Sequence, residues 1–247
     1  LDYCASTGIP VVRIPRMPGV SSSDLKGRVI DNFWKSRGQK VKTGQVGLWQ
    51  STSLTSSEKD AEARKVKDFR SVAEAIGRSV HRQKTVLELG CGVGRITEEL
   101  AKLYERVYAL DYVQDFIDIA KNTIPNENVV FVCADAVDFD KNVEYDCCVI
   151  TGLFPYLGDQ KAEQLVSSLC AIPRVVLKES VGTFGRYELP PDHFSDTLGE
   201  KYTAIYRSLP ELIDLFGRAG FVLKYTDVVD FHRKETHLRS MLFERTS

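Results

Sequence analysis

The residues best equipped for chemistry lie in the run Val86-Leu87-Glu88-Leu89-Gly90-Cys91-Gly92-Val93-Gly94-Arg95-Ile96-Thr97. An apolar stretch bearing one acid, Glu88, breaks there into a glycine loop. Gly90 and Gly92 permit a tight turn and remove the Cβ atoms that would hold a ligand off the backbone, and Gly94 lets the next element pack close. The loop reads GxGxG, with Arg95 where the third glycine of a GxGxxG pattern would stand, which disfavours a pyrophosphate cradle. Asp111 ends Ala109-Leu110-Asp111, 17 residues after Gly94, where a carboxylate can accept hydrogen bonds from ribose hydroxyls. Asp135, in Cys133-Ala134-Asp135-Ala136, supplies a second acid suited to an adenine amino group. Three acids in this order point to an adenosine-type ligand.

Further along, Tyr156 and Glu179 are the candidates for handling a second substrate, Tyr156 by positioning it and Glu179 by orienting an amine or accepting a proton. Alternatively Tyr156 packs under the next helix and Glu179 is a solvated strand-end acid. The segment from Ser180 to Arg207 offers Phe184, Arg186, Tyr187, His193, Tyr202, Tyr206 and Arg207. This aromatic and basic set suits a stacked base or an enclosed cation, and Arg186 and Arg207 suit a phosphate-bearing acceptor. His193, His232 and His237 match no metal-ligand spacing. Phe33, Trp34 and Trp49 precede this region and fit either a lid over the site or a cap on a sheet edge.

These side chains require a scaffold that brings strand ends together. From Lys84 onward apolar runs and helical periodicities alternate. Strands are predicted at Thr85 to Leu89, Arg106 to Leu110, Val129 to Cys133, Tyr145 to Thr151, Arg174 to Lys178, Phe221 to Val229 and His237 to Glu244. Helices are predicted at Arg95 to Leu103, Gln114 to Asn122, Asp159 to Cys170 and Pro210 to Ala219. The expected fold is a single Rossmann-like, doubly wound α/β domain with a seven-stranded, mostly parallel sheet and an N-terminal extension. Residues 1–23, rich in Pro, Gly and Ser, read as an extended arm, Leu25 to Lys35 as a short helix, Ser36 to Ser57 as irregular, and Ser57 to Arg78 as a helix. The domain division is therefore 1–56, an arm or lid, and 57–247, the main domain.

Composition narrows the function classes. Of the 247 residues, 43% are apolar and 27% charged, and no apolar run approaches the roughly 20 residues of a membrane helix. The net charge of −1 gives no global pull toward nucleic acid, although residues 11–42 carry +6 through Arg13, Arg16, Lys26, Arg28, Lys35, Arg37, Lys40 and Lys42. The 6 cysteines form no CxxC pair and follow no secretory signal, so a reducing, cytoplasmic location is expected. Cys133, Cys147 and Cys148 read as small core residues. The chain starts at Leu1 without an initiator Met, and so reads as a trimmed or processed piece.

The glycine loop, Glu88, Asp111 and Asp135 together resemble the class I S-adenosylmethionine-dependent methyltransferases from Lys84 to about Glu179. The resemblance implies S-adenosyl-L-methionine as cofactor, held by Glu88, Gly90, Gly92, Gly94, Arg95, Asp111, Tyr112, Asp135, Ala136 and Thr151, with no metal. Gly92-Val93-Gly94-Arg95-Ile96-Thr97, Asp115-Phe116 and Ala120-Lys121 are similar to the protein N-terminal amine methyltransferases, where Arg95 would meet the methionine carboxylate of the cofactor. Glu99-Leu100-Ala101-Lys102, Val132-Cys133-Ala134-Asp135 and Leu177-Lys178-Glu179-Ser180 are similar to the phosphoethanolamine methyltransferases. The acceptor side departs from both families: Thr151-Gly152 and Tyr156 replace the Gln-Trp and His of the former, and Phe33 with Pro155-Tyr156 replace the Tyr and His of the latter.

The expected function is therefore transfer of a methyl group to a nitrogen nucleophile, on an amine or phosphate-bearing small molecule or peptide. Tyr156 and Glu179 stand as catalytic candidates, and Trp34, Arg186, Tyr202 and Arg207 as acceptor-binding residues. Two other readings are an RNA methyltransferase drawing on the basic arm, acting on cap guanine N7 or another base, and a catalytically silent methyltransferase fold serving as a binding partner.

Overall fold

The computed structural model describes residues 22–48, 58–77, 84–195, 200–230 and 234–246. Trp49, His232, Arg13, Arg16 and nearly all of the expected extended arm lie outside them.

Apolar runs with little polar interruption become strands buried on both faces. β1 (Thr85–Leu89), β4 (Cys147–Thr151) and β5 (Arg174–Gly182) fill the middle of a seven-stranded sheet, with β2 (Arg106–Asp111) and β3 (Val129–Cys133) to one side. On the other side lie β11 (Thr236–Arg245) and β10 (Phe221–Asp230), giving the order β10-β11-β5-β4-β1-β2-β3. β3, β2, β1, β4 and β5 run parallel, whereas β11 is antiparallel to both β5 and β10. Successive strands leave β1 toward β3 and leave β4 toward β11, so the winding reverses between β1 and β4. In open α/β sheets, ligands bind outside the carboxyl ends of the strands at such a reversal.

The crossovers are α3 (Thr97–Leu103), α4 (Gln114–Thr123), α5 (Asp159–Ser168) and α6 (Leu209–Arg218). α6 starts at a capping box: Glu211 N–H donates to Ser208 Oγ while the Glu211 carboxylate accepts from Ser208 N–H, with Pro210 in the first turn. Phe116, Ile117 and Ala120 of α4, and Leu212, Leu215 and Phe216 of α6, turn the apolar stripes of these helices inward. Ahead of the sheet, α1 (Ser22–Lys42) packs on α4, and α2 (Glu58–Gly77) lies across β5, β10 and β11.

Several expectations are corrected. The helix expected at Leu25 to Lys35 runs from Ser22 to Lys42, taking in residues read as irregular. Gly38 sits inside it because α1 approaches α4 closely there: a Cβ at Gly38 would lie 2.9 Å from Val113 Cγ1. The helix after the glycine loop begins at Thr97, since the chain from Gly92 to Ile96 is still turning. β4 starts at Cys147 rather than Tyr145, and α5 yields at Leu169 to a short 3₁₀ turn, Leu169–Ala171. β5 continues to Gly182 because β11 pairs with it along its whole length, so Glu179 stands inside a strand rather than after it. Cys147 and Cys148 are buried as expected, but Cys133 is exposed, at the end of edge strand β3.

Candidate functional site

The glycine loop is fastened to the neighbouring strand: Gly90 N–H and Cys91 N–H both donate to Leu110 O, at 2.8 and 2.9 Å. Gly90, Gly92 and Gly94 have φ of +75°, +56° and +84°, the left-handed region that side chains disfavour. Gly94 is held there by the packing of α4 rather than by a strand, because a Cβ on it would lie 2.3 Å from Ile124 Cδ1. Thr97 Oγ1 donates to Glu88 Oε2 at 2.6 Å, tying the start of α3 to β1, and burial pushes the Glu88 carboxyl up to about 7.

At the end of β2, Asp111 Oδ2 accepts Gly92 N–H at 2.9 Å and Oδ1 accepts Val113 N–H at 2.9 Å. Burial raises its carboxyl to about 6 against the pull of these bonds. Asp135 pairs with Lys161 of α5.

A cavity of about 840 Å³ opens over these strand ends, within the range of small-molecule sites. Glu88, Gly90, Gly92, Arg95, Asp111, Tyr112, Asp135, Ala136 and Thr151 all face it, leaving Gly94 as the one expected cofactor residue set behind the wall. The donor set fits a nucleoside. Each Asp111 oxygen keeps a lone pair beyond its backbone bond, and Tyr112 Oη is buried with no hydrogen-bond partner among the described residues.

The other end of the cavity holds a buried charge cluster. Asp68 of α2 pairs with Arg95 and, at 2.7 Å, with Lys178 of β5. Burial opposes charge on Asp68, yet Lys178 and Arg95 together hold its carboxyl below the usual range, and burial lowers the Lys178 ammonium. The cluster has two cations and one anion, and all three residues line the cavity, so it suits a carboxylate such as that of a methionine moiety. Arg95 therefore acts within a triad rather than alone. Asp68 and Lys178 were not picked out from the sequence, although a signal was there. Asp68 stands one turn before buried Val72 on the apolar stripe of α2, and Lys178 interrupts a strand whose neighbours are all buried.

Toward α1 the cavity turns aromatic. Trp34 meets Tyr156 edge to face at 4.8 Å, and Phe33 packs on Trp34 and Tyr202. Tyr156 Oη lies 3.2 Å from Tyr202 Oη, which lies 3.0 Å from Tyr206 Oη. Tyr156 and Trp34 thus line the cavity, and α1 covers that cavity rather than an open sheet edge. Lys26 to Glu188, Lys40 to Glu200 and Lys42 to Asp115 ion pairs strap α1 down, and Arg37 also faces Glu200.

The two arginines assigned to the acceptor have other partners. Arg207 is buried, donating to Phe154 O at 3.0 Å, Leu157 O at 2.8 Å and Asp159 at 2.7 Å, and so shapes the loop after β4. Arg186 lines the cavity, as expected of an acceptor residue, and there meets Asp159, Glu188 and Glu211. Of the histidines, His237 contacts Thr183 and Arg239 and is lowered by burial and by Arg239, while His193 stands outside the cavity lining.

Glu179 is 1% exposed and faces the cavity. Its Oε1 accepts Leu153 N–H at 2.9 Å and Phe154 N–H at 3.1 Å, holding the short 3₁₀ turn Phe154–Tyr156, whereas Oε2 has no hydrogen-bond partner among the described residues. Burial pushes this carboxyl up to about 8.

Comparison with known proteins agrees with this geometry. The pattern of a methyltransferase domain matches residues 86–174. Phosphoethanolamine N-methyltransferase 1 of Triticum aestivum is 39% identical over 93 residues, covering 35% of this chain and 18% of the relative. A malonyl-[acyl-carrier protein] O-methyltransferase of Bacillus anthracis is 30% identical over 131 residues, 51% of this chain and 44% of its own. The chain thus spans less than half the length of these curated relatives. Among solved structures, a SAM-dependent methyltransferase of Leishmania major superposes with a TM-score of 0.68 at 19% identity, over 89% of this chain and 83% of that one. Phosphoethanolamine N-methyltransferase 1 of Haemonchus contortus, in complex with phosphoethanolamine and S-adenosylhomocysteine, gives 0.67 at 17%, over 94% and 53%. The domain match over residues 86–174, the sheet order and the strand-end acids together support a class I S-adenosylmethionine-dependent methyltransferase.

Proposed function

We propose that the protein transfers the methyl group of S-adenosylmethionine to a nitrogen atom of an acceptor enclosed between the strand ends and helix α1. The observation that carries the reading is the single cavity that joins Asp111 and the glycine loop to the aromatic wall of Trp34, Tyr156 and Tyr202. When bound, the cofactor supplies an electrophilic methyl on a sulfonium. Asp111 and Tyr112 would bind its nucleoside, and the Arg95–Asp68–Lys178 cluster its carboxylate. Tyr156 and Trp34 would align the acceptor and keep out water, and alignment of this kind contributes much of the rate of such a displacement.

In this reading residues 1–56 form the arm and lid and 57–247 the methyltransferase domain. The acceptor is a small molecule or a peptide. A phosphate on it draws little support, since Arg186 and Arg207 already face Asp159, Glu188 and Glu211. RNA draws little either, because four of the basic residues that suggested it, Lys26, Arg37, Lys40 and Lys42, face acids of the main domain. Among the described residues no helix is long and apolar enough to cross a membrane.

Calorimetry with S-adenosylhomocysteine, followed by transfer of labelled methyl to parallel panels of amines, phosphobases, peptides and RNA, tests the proposal. Cofactor binding with methyl transfer to nitrogen is the expected result. Transfer to oxygen would overturn the nitrogen assignment, and binding with no transfer to any panel would favour the silent-partner reading.

A further inference from the structure

Glu179 combines three properties that no packing role requires together. It is almost fully buried, it faces the cavity, and its Oε2 is unsatisfied among the described residues while Oε1 is doubly bonded to backbone N–H groups. A buried acceptor without a donor costs about 1–3 kcal/mol, so a group left in that state calls for a bound partner or a catalytic role. The group is also rigid. Two backbone bonds hold its Oε1, and the pairing of β5 with β11 fixes its backbone opposite Arg239.

The missing partner must be a hydrogen-bond donor that fits against Trp34, Tyr156 and Tyr202, whose ring faces attract cations. A carboxylate acceptor would set anion against anion at the ionised Oε2, and beside the protonated acid it would leave the ring faces without a cation; an alcohol would meet a carboxylate far too weak a base to ionise it. A protonated amine satisfies both walls: its N–H groups face Oε2 and its charge faces the rings. The charged groups acting on Glu179 are Lys178 on its own strand and Arg207 beyond β9 (Ile205–Tyr206), with Arg239 its cross-strand neighbour on β11. Lys178 is held by Asp68, Arg207 by Asp159, and Arg239 donates to His237 and Thr226, which leaves the acceptor as the partner for Oε2.

Resting on the methyltransferase reading above, we propose that Glu179 defines the acceptor as a primary or secondary amine bound as its ammonium, and is the catalytic residue that takes the ammonium proton through Oε2. The N–H bond breaks as the O–H bond forms, giving a neutral amine and a neutral carboxylic acid. The nitrogen lone pair then forms the new C–N bond as the S–C bond of the cofactor breaks, its electron pair remaining on sulfur. The product leaves as the methylated ammonium, and the proton on Glu179 passes to solvent before the next turnover. Because burial favours the protonated acid in the resting site, activity should rise with pH through the range around 8.

Glu179→Gln tests this, since an amide oxygen can still accept from Leu153 and Phe154 while the base is gone. Calorimetry with S-adenosylhomocysteine should give wild-type and variant affinities within about twofold, showing an intact fold and cofactor site. Labelled-methyl transfer to alkylamines, amino alcohols and peptides with free amino termini should exceed transfer to carboxylic acids and alcohols. The variant should lose about 100-fold or more in kcat/KM together with the pH dependence around 8. Preference for acids or alcohols, methylation of no amine by a protein that binds S-adenosylhomocysteine, or a variant with wild-type rate and pH profile would each overturn the assignment. Failure of both proteins to bind S-adenosylhomocysteine would instead overturn the methyltransferase reading, and this proposal with it.

Discussion

Lys178 Nζ lies 2.7 Å from Asp68 Oδ1, and both side chains are shielded from water, so strand β5 is pinned to helix α2 by an ion pair inside the protein. Arg95 closes the cluster from the glycine loop. Three segments far apart in sequence thus meet at one carboxylate.

Removing that carboxylate strands two cations in the interior. Asp68→Ala should lower stability by about 3–5 kcal/mol in urea or guanidinium unfolding, the range for breaking a buried pair by one partner. Losing under 1 kcal/mol would mean that water reaches the cluster. Should the variant not fold, Lys178→Met, which leaves Asp68 paired with Arg95, gives a milder version of the same measurement.

Asp111→Asn should weaken S-adenosylhomocysteine binding by about 1.5–3 kcal/mol in calorimetry, the scale of charge-assisted hydrogen bonds. Asp111→Ala should weaken it further, because Gly92 N–H and Val113 N–H also lose their acceptor and the loop loosens. Equal affinity in wild type and Asn variant would remove Asp111 from the cofactor site.

Gly38→Ala sets helix preference against packing. Alanine favours a helix by about 0.5–1 kcal/mol over glycine, but its Cβ would crowd Val113 Cγ1 at 2.9 Å and Asp115 Cβ at 3.2 Å, and overpacking costs about 1–3 kcal/mol. The expected net loss is about 1 kcal/mol, together with faster tryptic cleavage after Lys40 and Lys42 as α1 lifts from the site. A more stable variant with unchanged proteolysis would mean that α1 is not seated on α4.

Buried acids give a signed pH dependence. Glu88 and Glu179 titrate near 7 and 8 in the folded protein and near 4.3 when unfolded, so the folded state holds the extra protons as pH rises. Their contribution is present below the unfolded value and is lost as pH climbs through the folded one. The melting temperature without cofactor should therefore fall between pH 6.5 and 8, and fall less in Glu179→Gln. An identical decline in both proteins would show that Glu179 does not titrate in that window. The paired acids Asp68, Asp159, Glu188 and Glu211 are shifted downward and act only at lower pH.

The sequence by itself determined the sheet and which residues stand at the strand ends lining the cavity, because both are local. Two-sided burial writes β1 and β4 as short apolar runs, and the loop from Gly90 to Gly94 must turn where its glycines stand. Asp111 and Asp135 could be placed at strand ends by counting alone. Tertiary structure decided the rest, because the partners are remote. Nothing near Arg207 indicates that it will hold Phe154 and Leu157, and nothing in α1 announces that Lys26, Lys40 and Lys42 will meet Glu188, Glu200 and Asp115 rather than a phosphate. Cys133 looked like core until the sheet order made β3 an edge. Glu179 was legible as a strand-end acid, but its buried, half-satisfied state follows from the pairing of β5 with β11 and from the turn it holds after β4, both contacts that only the folded chain creates.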